Sequence, residues 1–207
     1  MLKLETFTVG PLGCNCSLLW DPATLTGVVV DPGGDGARIR RRVAALGFKV
    51  TALLHTHAHF DHVGATRELQ DFWQCPDYLH EGDTFLLDAL DTQTQIFGMD
   101  PIPRPETLAL NHRDGHHGLQ VLHTPGHTPG SCCFSGAFER GGVVLAGDTL
   151  FQGGVGRTDL WGGSSEALVA SIDRELYTLP DATLVIPGHG PSTTIGAEAQ
   201  NNPFVRR

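Results

Sequence analysis

The segment Thr56-His57-Ala58-His59-Phe60-Asp61-His62 places four metal-capable side chains within six positions, just after the apolar run Val50-Thr51-Ala52-Leu53-Leu54. Side chains two apart on an extended segment point to the same side, so His57 and His59 can face one point. Asp61 and His62 follow as the chain turns into a helix, and they can face a neighbouring point. One segment thus offers two ligand pairs, the arrangement needed to hold a hydroxide between two cations.

Three more residues each close an apolar strand in the same way. His127 lies in His123-Thr124-Pro125-Gly126-His127-Thr128-Pro129-Gly130, Asp148 ends Val143-Val144-Leu145-Ala146-Gly147, and His189 ends Leu184-Val185-Ile186-Pro187-Gly188. Glycine and proline beside them let the backbone turn sharply. Alone, His127 would be a turn histidine, Asp148 a strand-end cap and Asp61 a helix N-cap. Together they complete a count. Two four-coordinate cations sharing one carboxylate and one hydroxide need three private ligands each. His57/His59/His127 form one set, Asp61/His62/His189 the other, and Asp148 the bridge.

These residues need strand ends that converge. Strands are expected at 2–9, 16–20, 26–30, 50–55, 107–110, 119–123, 131–135, 142–146 and 183–186. Helices are expected at 36–46 and 62–73, and one opens at Ser164-Ser165-Glu166 with Leu168, Ile172 and Leu176 on one face. A short helix ends the chain. Alternating strands and helices imply an α/β protein, whose sites form where strand ends meet. Residues 80–118 are the least regular stretch. They read as a surface excursion, with a cover over the site as the alternative.

At 207 residues, 40% hydrophobic and 18% charged, the chain reads as one globular domain over 1–207. A net charge of −9 disfavours nucleic acid as a partner. Arg38, Arg40, Arg41 and Arg42 read as the wet face of a helix that buries Ile39, Val43 and Leu46. No run suits a membrane span or a secretory signal, so a cytoplasmic location is expected. The five cysteines form no CxxC pair and read as buried, reduced thiols; Cys14-Asn15-Cys16 is a weak soft-metal alternative. His55 reads as a buried strand end. His80, His112, His116 and His117 fall in polar loops, and His123 is a candidate to support a ligand.

The pattern Thr56-His57-x-His59-x-Asp61-His62, with His127, Asp148 and His189, resembles the metallo-β-lactamase superfamily. The resemblance is strongest to its glyoxalase II-like branch, in particular small YcbL-type members. Supporting segments are Val30-Asp31-Pro32-Gly33-Gly34, Gly147-Asp148-Thr149-Leu150-Phe151, Gly153-Gly154-Val155-Gly156-Arg157-Thr158-Asp159, Pro187-Gly188-His189-Gly190-Pro191 and Asn202-Pro203-Phe204. The resemblance implies a four-layer αββα sandwich with a dinuclear site at the sheet edge, and the ligand roles counted above. Zinc β-lactamases of the commonest type carry cysteine where Asp148 stands, and flavo-diiron proteins carry glutamate where His59 stands. Nuclease members carry an inserted domain or arm, and full-length glyoxalase II has a C-terminal helical domain that helps hold glutathione. The departures leave a thioester hydrolase acting on S-lactoylglutathione-type substrates, with the carrier thiol open.

In that reading two divalent metals, zinc first and iron or manganese as alternatives, bring water to a pKa of about 7. Asp148 holds the cations together, and Asp61 is expected to be equally necessary to catalysis. Arg157 and Asp159 are candidates to face a small-molecule thioester, with a mutual salt bridge as the other reading. The oligomeric state is open. A mononuclear iron persulfide dioxygenase of the same fold, using His57, His127 and Asp148, is the second reading. A non-catalytic metal-binding module is a remote third.

Overall fold

The computed structural model describes residues 1–139 and 141–207. One six-stranded sheet runs, in spatial order, β1 (Lys3–Val9), β2 (Cys14–Asp21), β3 (Thr26–Val30), β4 (Lys49–Leu54), β5 (Asp77–Leu79) and β6 (Leu108–Ala109). The second contains β7 (Gly115–His116), β8 (Leu119–His123), β9 (Cys132–Phe138), β10 (Gly141–Gly147), β13 (Leu184–Pro187) and β14 (Thr193–Thr194), in the order β14-β13-β10-β9-β8-β7. The short strands β11 (Leu150–Phe151) and β12 (Gly154–Val155) form a separate ribbon. The pairings β3–β4 and β10–β13 are parallel, which requires helical crossovers.

Strand alternation divides the core into layers. Val28, Val30, Ala52 and Leu54 face Val121, Phe134, Val143 and Leu145 between the sheets. Val29 and Leu53, from the same strands, pack outward against Ile39 and Val43 of α1 (Gly36–Leu46) and Leu69 of α3 (Thr66–Trp73). On the far side, Val144, Ala146 and Val185 pack against Leu168 of α6 (Ser165–Ser171), its π-helical continuation Ile172–Leu176, and Ile195 and Ala199 of α7 (Ile195–Asn201). Each fully buried aliphatic side chain contributes about 1.5–3 kcal/mol, and both faces of β3 and β4 carry such residues. The result is the four-layer αββα sandwich. Among the described residues no helix is long and apolar enough to cross a membrane.

Two expectations change. The helix expected at 62–73 is two pieces, α2 (Phe60–Val63) and α3, separated at Gly64-Ala65. A side chain at Gly64 would lie 2.4 Å from the Gly33 carbonyl oxygen, so the chain bends around that loop. Residues 80–118 are not a plain excursion. They hold a 3₁₀ turn at Glu81–Asp83, α4 (Thr84–Asp88) and α5 (Leu90–Ile96), packed through Leu86, Leu87 and Leu90 onto Ala58, Phe60 and Val63. Their apolar residues are spread over two short helices, so no long periodic signal forms. The arginine cluster is the wet face of α1, as expected: Arg42 pairs with Glu5 and Arg40 with Glu68.

Candidate metal centre

The seven residues singled out in the sequence converge at one edge of the sandwich. His57 Nε2 lies 3.0 Å from His59 Nδ1, which lies 2.9 Å from His127 Nε2. His62 Nε2 lies 3.2 Å from His189 Nε2, and Asp61 Oδ2 lies 3.0 Å from that same His189 atom. The groups His57/His59/His127, Asp61/His62/His189 and His57/His62/Asp148 each bring their ligand atoms within 4.8 Å of one another. Asp148 spans the first two: Oδ1 is 3.5 Å from His62 Nε2, and Oδ2 is 3.7 Å from His127 Nε2.

Hydrogen bonds on the far side of each ring decide which nitrogens face inward as lone pairs. His127 Nδ1 donates to the Arg157 carbonyl at 2.7 Å, and His189 Nδ1 donates to the Leu12 carbonyl at 3.2 Å. Asp31 Oδ2 accepts both His62 Nδ1–H, at 3.1 Å, and the Thr56 hydroxyl, at 2.6 Å. The Thr56 oxygen is therefore an acceptor toward His57 Nδ1, 3.1 Å away. In the neutral rings, Nε2 of His57, His62, His127 and His189 is thus the lone-pair nitrogen turned inward. Lone pairs this close repel unless a proton or a cation lies among them, and outer hydrogen bonds of this kind are how proteins orient metal-binding histidines. Asp148 Oδ1 is buried and has no hydrogen-bond partner, which is costly for a carboxylate unless a cation neutralises it. The donor set fits divalent metals.

Electrostatics point the same way. Burial holds His57 well below the ordinary imidazole value, and His62, His59 and His127 add to it. His59 falls to about 3, through burial first and then His127 and His62. Burial opposes the charge of Asp61, but His62 and His189 outweigh it and hold the carboxyl below its usual range. His62 goes the other way: burial lowers it, yet Cys14, Asp61 and Asp31 lift it well above 6.5. A proton and a cation compete for that position.

The structure adds positioning residues that the sequence did not disclose. Asp83, wholly buried, accepts Ala58 N–H at 3.0 Å, the Thr128 hydroxyl at 2.8 Å and Gly130 N–H at 2.6 Å. It ties the His57–His59 loop to the His127 loop. Gln93 accepts Phe60 N–H at 3.0 Å and donates to the Ala58 and Leu86 carbonyls. Asn15 donates to the carbonyls of Pro187 and Gly190, on both sides of His189. The fit is tight: a Cβ on Gly130 would lie 2.6 Å from the Asp83 carboxyl carbon.

Other expectations fall into place. His55 is buried with Nε2 2.8 Å from Asp77 Oδ1. His123 Nε2 donates to the Pro129 carbonyl at 2.9 Å, so it supports the His127 turn rather than a ligand directly. All five cysteines are free and buried. Arg157 lines the cavity, whereas Asp159 does not; the two form a bidentate pair at 2.7 and 2.8 Å.

The centre forms part of the wall of a cavity of about 490 Å³, lined by His59, Asp61, His127, Asp148 and His189 together with Leu12, Phe60, Gln93, Ile96, Phe97, Arg157, Leu160 and Trp161. The metallo-β-lactamase superfamily matches residues 9–189. The chain belongs to that superfamily. Among curated relatives it is 39% identical to a probable metallo-hydrolase, YqgX, of Bacillus subtilis, and 38% identical to the hydroxyacylglutathione hydrolase GloC of Haemophilus influenzae. Each match covers 99% of this chain and 98% of the relative. Among solved structures, BLEG-1, described as a B3 metallo-β-lactamase, matches with TM-score 0.89 at 37% identity, over 98% of this chain and 99% of that one. TTHA1623 in a di-iron-bound form matches with TM-score 0.88 at 40% identity, over 97% and 100%. ETHE1 from Myxococcus xanthus matches with TM-score 0.79 at 29% identity, over 97% and 83%. These relatives place the chain in the superfamily's glyoxalase II-like branch and make it a metallo-hydrolase of that fold.

Proposed function

We propose that this metallo-hydrolase cleaves thioesters, with His57, His59 and His127 holding one divalent cation, Asp61, His62 and His189 a second, and Asp148 both. The observation that carries the reading is the Asp148 carboxylate, with one oxygen turned to each ligand set and one of them otherwise unpaired. The likeness to GloC supports a thioester as the bond cleaved. Bound cations would supply Lewis acidity and a hydroxide from water at neutral pH.

The chain's own residues do the rest. Asp31 and Thr56, and the carbonyls of Arg157 and Leu12, hold four imidazoles in the tautomer that turns Nε2 inward. Asp61 stays ionised through neutral pH, so its ligand oxygen is never masked by a proton. Asp83 and Gln93 fix the spacing of the ligand loops. Hydrolysis adds water across the C–S bond, giving a carboxylic acid and a thiol. A thiol of pKa about 8.5 departs as thiolate without a general acid. That suits a cavity whose described lining holds no ionisable group outside the ligand set except Arg157.

The test is a thioester panel, including S-D-lactoylglutathione, with the metal-loaded protein. His57→Ala and Asp61→Ala should each abolish hydrolysis; unchanged rates would sink the reading. A β-lactam belongs in the panel because of the likeness to BLEG-1. The likeness to ETHE1 favours one further reading, an iron-dependent persulfide dioxygenase using His57, His127 and Asp148. Oxygen uptake with glutathione persulfide and one iron per chain would establish it, and two metals without oxygen uptake would exclude it.

A further inference from the structure

Five of the thirteen exposed large hydrophobic side chains among the described residues rim the cavity at the metal centre: Leu12 (46% exposed), Ile96 (67%), Phe97 (55%), Leu160 (40%) and Trp161 (45%). Apolar side chains left in water around a concave site mark a binding surface. The wall is firmly mounted. The Phe97 ring lies 4.8 Å from that of Phe60, which neighbours Asp61. On the opposite side, Gly163 N–H donates to the Leu160 carbonyl and closes the turn that carries Trp161.

The polar groups of the same cavity are already committed. The Gln93 amide is spent on Phe60 N–H and on the Ala58 and Leu86 carbonyls. Arg157, the only Lys or Arg among the described lining residues, is held in a bidentate pair by Asp159. Glutathione carries two carboxylates and an ammonium, and a lactoyl group carries a hydroxyl. Beyond the ligands themselves, the lining offers these groups only the remaining N–H donors of Arg157, whose charge Asp159 offsets, and the Trp161 indole N–H. The thioester carbonyl must reach the ligand atoms of the wall, so the acyl group attached to it meets the apolar side chains of the same cavity.

Resting on the thioesterase reading, we infer that the acyl group of the substrate is apolar, branched or aromatic, and that Ile96, Phe97, Leu160 and Trp161 select it, with little recognition of an anionic carrier.

The experiment compares S-phenylacetyl- and S-lactoyl-N-acetylcysteamine, which share a small neutral carrier, with S-D-lactoylglutathione. The metal-loaded protein should show kcat/KM at least tenfold higher for the phenylacetyl ester than for the lactoyl ester, the scale that apolar pockets deliver. Moving lactoyl from the neutral carrier to glutathione should gain less than threefold. Phe97→Ser and Trp161→Ser, both at exposed positions, should each cut the phenylacetyl-to-lactoyl ratio at least tenfold. Binding of the product acids, read by calorimetry, should favour phenylacetate over lactate at least tenfold, and both variants should erase that margin. Equal rates, a tenfold gain from glutathione, or a ratio that survives in both variants would overturn the inference and leave the thioesterase reading standing. Cleavage of none of the three esters would overturn both.

Discussion

The Asp83 carboxylate accepts the backbone N–H of Gly130 at 2.6 Å, so a residue from the 3₁₀ turn before α4 holds the loop that presents His127. Its other oxygen reaches Ala58, between His57 and His59, and the Thr128 hydroxyl. Asp83→Ala would strand three buried donors at a cost of roughly 3 kcal/mol or more. Urea unfolding of the metal-free protein should record that loss. Zinc titration should show affinity at the His57/His59/His127 set falling about 10- to 100-fold. Wild-type affinity in the variant would show that the ligand loops keep their spacing unaided.

Asp31 sits at φ 50°, a left-handed conformation that asparagine tolerates well. Asp31→Asn should therefore keep the backbone while replacing one acceptor oxygen with a donor beside Thr56 and His62. The Asp61/His62/His189 set should lose about 10- to 100-fold in metal affinity, with little change in far-UV circular dichroism. Two tightly held metals per chain in this variant would remove Asp31 from the account of His62.

Gly188 has no room for a methyl group. A Cβ there would lie 2.1 Å from Asp148 Oδ1 and 2.8 Å from His62 Cε1. Gly188→Ala should push Asp148 from its place between the two sets. The expected result is fewer than two metals per chain by elemental analysis and at least a hundredfold loss of activity. A variant with both metals and full activity would show that Asp148 is free to move.

Cys133 is wholly buried, and burial pushes its thiol from 9.0 up to about 11. A thiol whose pKa is raised by folding contributes stability that is fully present below pH 9. That contribution is lost as pH rises from 9 through 11, because the unfolded chain ionises first. The loss approaches about 3 kcal/mol at full effect. Urea midpoints at pH 7.5 and 10.5 should drop less in Cys133→Ala than in the parent. Identical drops would assign the alkaline loss to other groups.

The ligand centre was legible because its chemistry is local. Four candidate ligands stand within six positions, and three more stand beside glycine at strand ends. The longer strands of both sheets were legible too, since Val28-Val29-Val30 and Ala52-Leu53-Leu54 alternate between two buried faces, whereas the two- and three-residue strands β5, β7 and β14 were not. Residues 80–118 hid their role. Asp83 and Gln93 act through backbone amides some 25 to 47 positions away, and such bonds leave no periodic trace.

The sequence alone determined which side chains are candidates to hold metal, since ligand chemistry belongs to residue type. Only the tertiary structure decided that His59 presents Nδ1 while His57 and His127 present Nε2. The same holds for the pairing of Arg157 with Asp159 and for the apolar collar beside the ligand cluster. Ring orientation and cavity lining depend on what lies across the gap, and those neighbours come from loops distant in the chain.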